Sequence, residues 1–215
     1  MSLLTLQILL QIAFLTIVFL HVSKKNLAAI WAYAIQSLAI VALLLNSFFE
    51  TLNPPLLAVA LLVLMVKVVL APGFFSRLVK KNELIFSAST YLSTPVTLII
   101  LATLVAIAHS DIFKPLSSIV AGHQSLLSLS LSMIFLSLLL IINRKSALSQ
   151  IIGILSLENS IVAFAIFAGL EQSFSLQAGI LFDISVWLII ATTFTSMVYK
   201  NFGSLDVTSM KKLKD

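Results

Sequence analysis

An all-α integral membrane protein with seven transmembrane helices is the fold that this sequence predicts, on its composition, its apolar run lengths and the spacing of its basic residues. Hydrophobic residues make up 60% of the chain and charged residues 10%, with a mean hydropathy of +1.14. Soluble domains run near 45–50% apolar and about 25% charged. A helix needs about 20 apolar residues to cross a bilayer core. Such runs fall at 3–22, 27–49, 54–71, 85–108, 126–142, 147–170 and 176–199. None alternates apolar with polar at period two, as barrel strands do, so the spans read as helices.

The first run has no basic residue before it and no small-x-small cleavage site after it, and reads as a membrane span rather than a signal peptide. Lys24 and Lys25 follow it. The third connector holds Arg77, Lys80 and Lys81, the one after the fifth span Arg144 and Lys145, and the last span ends at Lys200 with Lys211, Lys212 and Lys214 beyond. The intervening connectors carry Glu50, Asp111 and Glu171 against Lys114. The positive-inside rule then places the N-terminus outside and the C-terminus in the cytoplasm. On this reading the net charge of +5 reflects topology and contact with anionic lipid. No aromatic-basic surface suggests nucleic acid.

Chemistry is sparse. There are no cysteines, which excludes thiolate metal sites, cysteine nucleophiles and disulfides within the chain. His21, His109 and His123 form no metal-ligand spacing. The serine run "SLLSLSLSMIFLS" has no acid or histidine placed to activate a nucleophile, and Ser128 and Ser132 have the spacing of interhelical hydroxyl contacts. Phosphate loops and dinucleotide fingerprints are missing. The chain reads as carrying no catalytic centre of its own.

Three ionisable residues nevertheless lie inside predicted spans: Lys67, Glu158 and Asp183. Each costs about 2.5–3.5 kcal/mol at a helix centre. Glu158 lies eleven residues past Ala147, about 16 Å along a helix, too deep for a short side chain to reach water. One face of its helix is small and polar (Ser149, Gly153, Ser156, Ser160), whereas Glu158 falls with Ile151, Ile154, Leu155 and Val162 on the face that would meet lipid, so a partner is expected to cover it. Asp183 shares a stripe with Gly179 and Trp187, and a short connector should set the last two spans antiparallel, with their acids at comparable depth. Low dielectric disfavours the charged form of acids and amines alike, so groups so placed can exchange protons near neutrality. The reading is a proton relay at the membrane midplane; an internal ion pair and a snorkelling Lys67 stand beside it as structural alternatives. In "LMVKVVLAPGFF", Pro72 is expected to free the Val68 carbonyl and bend or break the helix near Lys67, and Pro95 to make a second break in the fourth span.

The segments "LLLIINRKSALSQIIGILSLENSIVAFAIFAG" and "ILFDISVWLIIATTFTSMVYKNFGSLDVTSM" resemble the three-helix K-type subunit of respiratory complex I: a basic turn, a glycine-containing helix with a buried glutamate and asparagine, and an acid in the next helix. With four helices ahead of that core and "LMVKVVLAPGFF" among them, the chain resembles component E of hydrogenase-4 and formate hydrogenlyase complexes. The resemblance divides it into a four-helix extension (1–124), a K-type-like core (125–200) and a cytoplasmic tail (201–215). Glu158 stands five residues after Gly153 where the K-type pattern has two, and Asp183 replaces a glutamate. The resemblance implies a non-catalytic subunit of a group 4 hydrogenase or related oxidoreductase complex in a prokaryotic plasma (inner) membrane. Its partners would be antiporter-like subunits and the membrane anchor of a peripheral arm that carries nickel–iron and iron–sulfur centres. Glu158, Asp183 and Lys67 would transfer protons, with Gln36, Asn159, His109 and His123 as candidate accessory groups. The alternative is a subunit of a multisubunit cation/proton antiporter without a redox arm. A solitary transporter would call for a clearer inverted repeat. A retinal photoreceptor needs a lysine in the last span, where Asp183 stands.

A weaker pattern joins "SKKNLAAIWAYAIQSLAIVAL" to "NRKSALSQIIGILSLENSIVAF": each runs from a basic turn into an apolar helix, with Gln36 near the place of Glu158. On the same pattern Lys67 would correspond to Asp183.

Overall fold

A computed structural model describes residues 3–81, 90–117, 124–170, 189, 193, 196–201 and 203. Among these the secondary structure is helical, apart from isolated bridge residues that include the antiparallel pair Thr90 and Arg144. The helices are α1 (Leu3–Val22), α2 (Asn26–Thr51), α3 (Pro54–Val63), α4 (Ala71–Lys81), α5 (Thr94–Ala108), the single turn α6 (Lys114–Ser117), α7 (Gln124–Asn143) and α8 (Ala147–Phe167). Leu64–Leu70, between α3 and α4, is π-helical, so Pro54–Lys81 forms one continuous helix of 28 residues. Among the described residues five helices are long and apolar enough to cross a membrane: α1, α2, Pro54–Lys81, α7 and α8. This is the make-up of a multi-pass helical membrane protein. The predicted seventh span lies largely outside the described residues.

At both prolines the structure refines the expectation. The helix does not break at Pro72. The Ala71 amide instead bonds the Val66 carbonyl, five residues back, in the wider π register. A helix that widens ahead of a proline loosens the turn into which the ring would otherwise press. The expected span at 85–108 is also revised, because α5 starts at Thr94 with Pro95 in its first turn, where a missing amide hydrogen costs nothing. At 15 residues α5 is about 22 Å long, shorter than the core of a bilayer. The segment before it is tied to the end of α7: Asn143 accepts from the Tyr91 amide through its backbone oxygen (3.0 Å) and from the Leu92 amide through Oδ1 (2.9 Å). Asn143 Nδ2 donates to Thr97 Oγ1 at 3.2 Å.

Two hairpins form the frame. In each, a helix of 20 residues (α1 or α7) is joined through a short basic turn to a longer one (α2 or α8). The hairpins lie side by side, α1 on α7 and α2 on α8. Their turns meet, since the Arg144 guanidinium reaches backbone oxygens at the end of α1. Thus α2 and α8 run parallel from the same end. The small, polar face of α8 packs on α7 as expected. A Cβ added at Gly153 would lie 2.9 Å from Ile141 Cγ1 and 3.3 Å from the Ile141 amide nitrogen, the latter being backbone that cannot swing aside. Gly153→Val is therefore expected to destabilise the α7–α8 contact by about 1–3 kcal/mol, the usual cost of overpacking. A shift of the denaturation midpoint in detergent would show it, and an unchanged midpoint would mean that the helices do not meet so closely.

The buried apolar residues separate into two clusters. One contains Leu20, Ile30, Tyr33, Phe75, Val79, Leu148 and Val198; the other contains Leu10, Ile40, Leu44, Val59, Val63, Leu136 and Val162. The first lies at the end where the connectors carry Lys24, Lys25, Lys80, Lys81, Arg144 and Lys145, and where Val198 precedes Lys200. The described residues of the four basic groups thus gather at one end of the molecule. Between the clusters each helix of the frame except α1 changes character: α2 offers Gln36 and Ser37, the π segment Lys67, α7 Ser137, and α8 Ser156, Asn159 and Ser160, all of them buried. A polar layer crosses the interior at mid-depth.

Candidate functional site

Lys67 sits near the centre of the 28-residue helix, in its π-helical part, with 1% of its side chain exposed. It does not snorkel. Its ammonium meets Glu158 Oε1 at 2.6 Å and donates to Asn159 Oδ1 at 3.0 Å. Asn159 Nδ2 in turn donates to Ser37 Oγ at 2.9 Å, so Lys67, Asn159 and Ser37 form one chain from the π segment through α8 to α2. On the other flank of α8, Ser137 Oγ lies 3.1 Å from Ser160 Oγ and 3.4 Å from Ser156 Oγ, and Ser160 Oγ donates to the Ser156 carbonyl at 2.8 Å.

This corrects the expected surroundings of Glu158. Its side chain is 18% exposed and is covered by Lys67 of the same chain rather than turned wholly to lipid. A pair this close in a low dielectric is strongly coupled. Two acceptors, a carboxylate and an amide oxygen, hold the ammonium in place, which a buried charge requires. The π register contributes as well, because such bulges re-aim side chains and occur often at functional sites.

Of the accessory candidates, Asn159 belongs to the site and Gln36 borders it. Gln36 is fully buried, and neither its Oε1 nor its Nε2 has a hydrogen-bond partner in the protein. His109 does not belong to the site: it is exposed beyond the end of α5, with Nδ1 2.9 Å from the Val105 carbonyl and 3.5 Å from Ser132 Oγ. Ser132 itself donates back to the Ser128 carbonyl of its own helix at 2.9 Å, so the hydroxyl contact between α7 and α8 is made by Ser137 instead. Asp183 and His123 lie outside the described residues, and with them the expected proximity of the two acids and the pairing of the last two spans. Among the described residues no three His, Asp or Glu side chains gather as metal ligands would.

Two residues acquire roles that sequence reasoning missed. Tyr33, which its apolar surroundings in the sequence do not single out, is fully buried on α2 one turn before Ser37, and its hydroxyl makes no hydrogen bond within the described protein. Arg144, in the sequence a topological charge in a basic connector, is buried. Its Nη2 donates to the Leu20 carbonyl, to that of His21 at 3.1 Å and to that of Ser23 at 2.8 Å. These are the open carbonyls at the C-terminus of α1, where a cation is favoured by the helix dipole. Burial lowers the Arg144 pKa from its ordinary value. His21 adds a further tie, its Nε2 lying 3.0 Å from the Leu136 carbonyl.

Comparison of the chain with protein-family models, with curated proteins and with solved structures gave no match in any of the three. The functional reading therefore rests on the site itself and on the resemblance in its sequence.

Proposed function

We propose that this chain is a non-catalytic membrane subunit of a complex I-related assembly of the group 4 hydrogenase or formate hydrogenlyase type, in a prokaryotic plasma membrane, where Lys67 and Glu158 relay protons across the midplane. The observation that carries the reading is the buried Lys67–Glu158 pair, 2.6 Å apart in a polar layer between two apolar clusters. Burial of two charges in lipid is expensive, and a helical frame needs neither of them to stand. The geometry suits proton exchange. A proton can pass from Lys67 Nζ to Glu158 Oε1 along the existing contact, which converts an ion pair into a neutral pair. Asn159 holds Nζ in place in either form. Asp183, in the next predicted span, would extend the relay, and the antiporter-like and anchor subunits implied by the resemblance would continue it. The gathering of basic connectors at one end agrees with a cytoplasmic C-terminus.

The test is Glu158→Gln in the intact assembly. Glutamine keeps an acceptor for Lys67, and Asn159 remains, so co-purifying subunits should be recovered near the wild-type level. Proton uptake in inverted vesicles should fall by about 10²-fold, the lower range of what a positioned acid or base contributes. Normal uptake by the assembled variant would end the relay reading. Recovery of membrane subunits with no redox arm would favour the antiporter assembly.

A further inference from the structure

The end of the molecule where the basic connectors gather carries charge without counter-charge. Lys24, Lys25, Lys80, Lys81, Arg144 and Lys145 lie there, whereas the acids among the described residues are Glu50 and Asp111, toward the far ends of α2 and α5, and Glu158 at mid-depth. One of these lysines stands beside a cavity. Tyr91, Leu92, Leu139, Ile142 and Asn143 line a space of about 490 Å³ between the segment ahead of α5 and the last turns of α7. Its size is that of a small-molecule site, about 300–1,000 Å³. Lys145 Nζ lies 5.0 Å from the centroid of the Tyr91 ring, a cation–π contact that keeps the ammonium at the rim of this space. The walls within are apolar in effect, because both ends of the Asn143 amide are engaged, Oδ1 by the Leu92 amide and Nδ2 by Thr97. Leu139, Ile142 and Asn143 share one face of α7, so the space runs about 6 Å inward from the basic turn. Ile142 is 70% exposed and Tyr91 57%, which leaves the space open sideways to the bilayer. An occupant must be apolar at the depth of Leu139 and anionic at Lys145. On these grounds we infer that this groove binds an anionic phospholipid, with its phosphate on the Lys145 ammonium and the Tyr91 hydroxyl and one acyl chain along Leu92, Leu139 and Ile142. Basic sites between transmembrane helices take acidic headgroups in this way, and tyrosine favours the headgroup level. The site is more than the general attraction of a basic end to an acidic leaflet, since one lipid would join the segment ahead of α5 to α7. It stands or falls independently of the proton relay.

For the test, the full chain is purified with the subunits that accompany it and stripped of native lipid in detergent. Binding of phosphatidylglycerol and of phosphatidylcholine with the same acyl chains is then measured by native mass spectrometry. Wild type should bind phosphatidylglycerol about fivefold more tightly, the contribution of one basic side chain near a headgroup. Lys145→Gln should abolish that preference and Lys145→Arg should keep it. Lys80→Gln, which removes a charge from the same end but not from the groove, should leave it unchanged. Ile142→Trp, a change at an exposed position, should fill the groove and weaken both lipids by about tenfold, the worth of roughly two buried methylene groups. If Ile142→Trp lowers recovery of the protein, the contrast between Lys145→Gln and Lys80→Gln decides the question. Equal affinity of wild type for the two lipids, or a loss in Lys80→Gln as large as that in Lys145→Gln, would show diffuse charge attraction and overturn the site. If wild type binds neither lipid and Ile142→Trp releases an accompanying subunit, the groove belongs to a protein helix and the inference fails likewise.

Discussion

Lys67→Met is expected to destabilise the protein by about 3–5 kcal/mol, the cost of removing one member of a buried ion pair, and adding Glu158→Gln to it is expected to restore most of that loss. The reasoning follows from the contacts. Without the ammonium, Glu158 loses its Oε1 partner, and its Oε2 has none to begin with. Asn159 Oδ1 also loses its donor. Glu158→Gln alone is milder, since Lys67 keeps two oxygen acceptors. In the double variant no charge remains, and an apolar or amide pair of similar volume packs about as well as the ion pair it replaces. The two sites are in contact, so their effects should be strongly non-additive. Stability is read from denaturation in detergent and from subunit recovery, and proton uptake is measured on the same preparations. Recovery of assembly without recovery of uptake is the expected result. If the double variant regains uptake, the pair is a structural clamp and the protons travel elsewhere.

How far the sequence discloses this site depends on the residue. Lys67 and Glu158 stand out by themselves, because hydropathy marks any charge in an apolar run. Their pairing does not, because 92 residues separate Lys67 from Asn159, beside Glu158, and helical periodicity relates only near neighbours. A wheel drawn for α8 alone turns Glu158 to lipid, since it contains no information about the helix that covers that face. The π register is hidden for a similar reason. A proline predicts disturbance at Pro72, but whether the chain kinks, breaks or widens depends on what packs beside it. Pro95 shows the same ambiguity, as its residue chemistry suits both a kinked span and the first turn of a helix. Gln36 and Tyr33 give the weakest signals. Neither is charged, and it is the loss of water around them that gives their polar atoms weight. The predicted spans fare better, because length and hydropathy are properties of the segment itself.

Arg144 separates two ideas that the sequence merges, and its replacement is expected to show which matters. As a topological signal it is one positive charge in a basic connector, and Arg144→Lys would preserve that role in full. As a cap it is a guanidinium whose Nη2 alone serves the Leu20, His21 and Ser23 carbonyls, and the shorter lysine stem would set an ammonium back from them. Arg144→Ala should therefore lower stability by about 2–4 kcal/mol, since hydrogen bonds to charged groups contribute about 1.5–3 kcal/mol each and several buried carbonyls are left open. Arg144→Lys should fall between alanine and wild type. A reporter fused after Lys214 should indicate the same membrane side in all three proteins, because Lys24, Lys25, Lys80, Lys81 and Lys145 remain at that end. Equal stability of the lysine variant and wild type would show that charge alone suffices, and that the junction between the two hairpins is held by the packing of Leu20 against Leu140 and Leu148 rather than by the guanidinium.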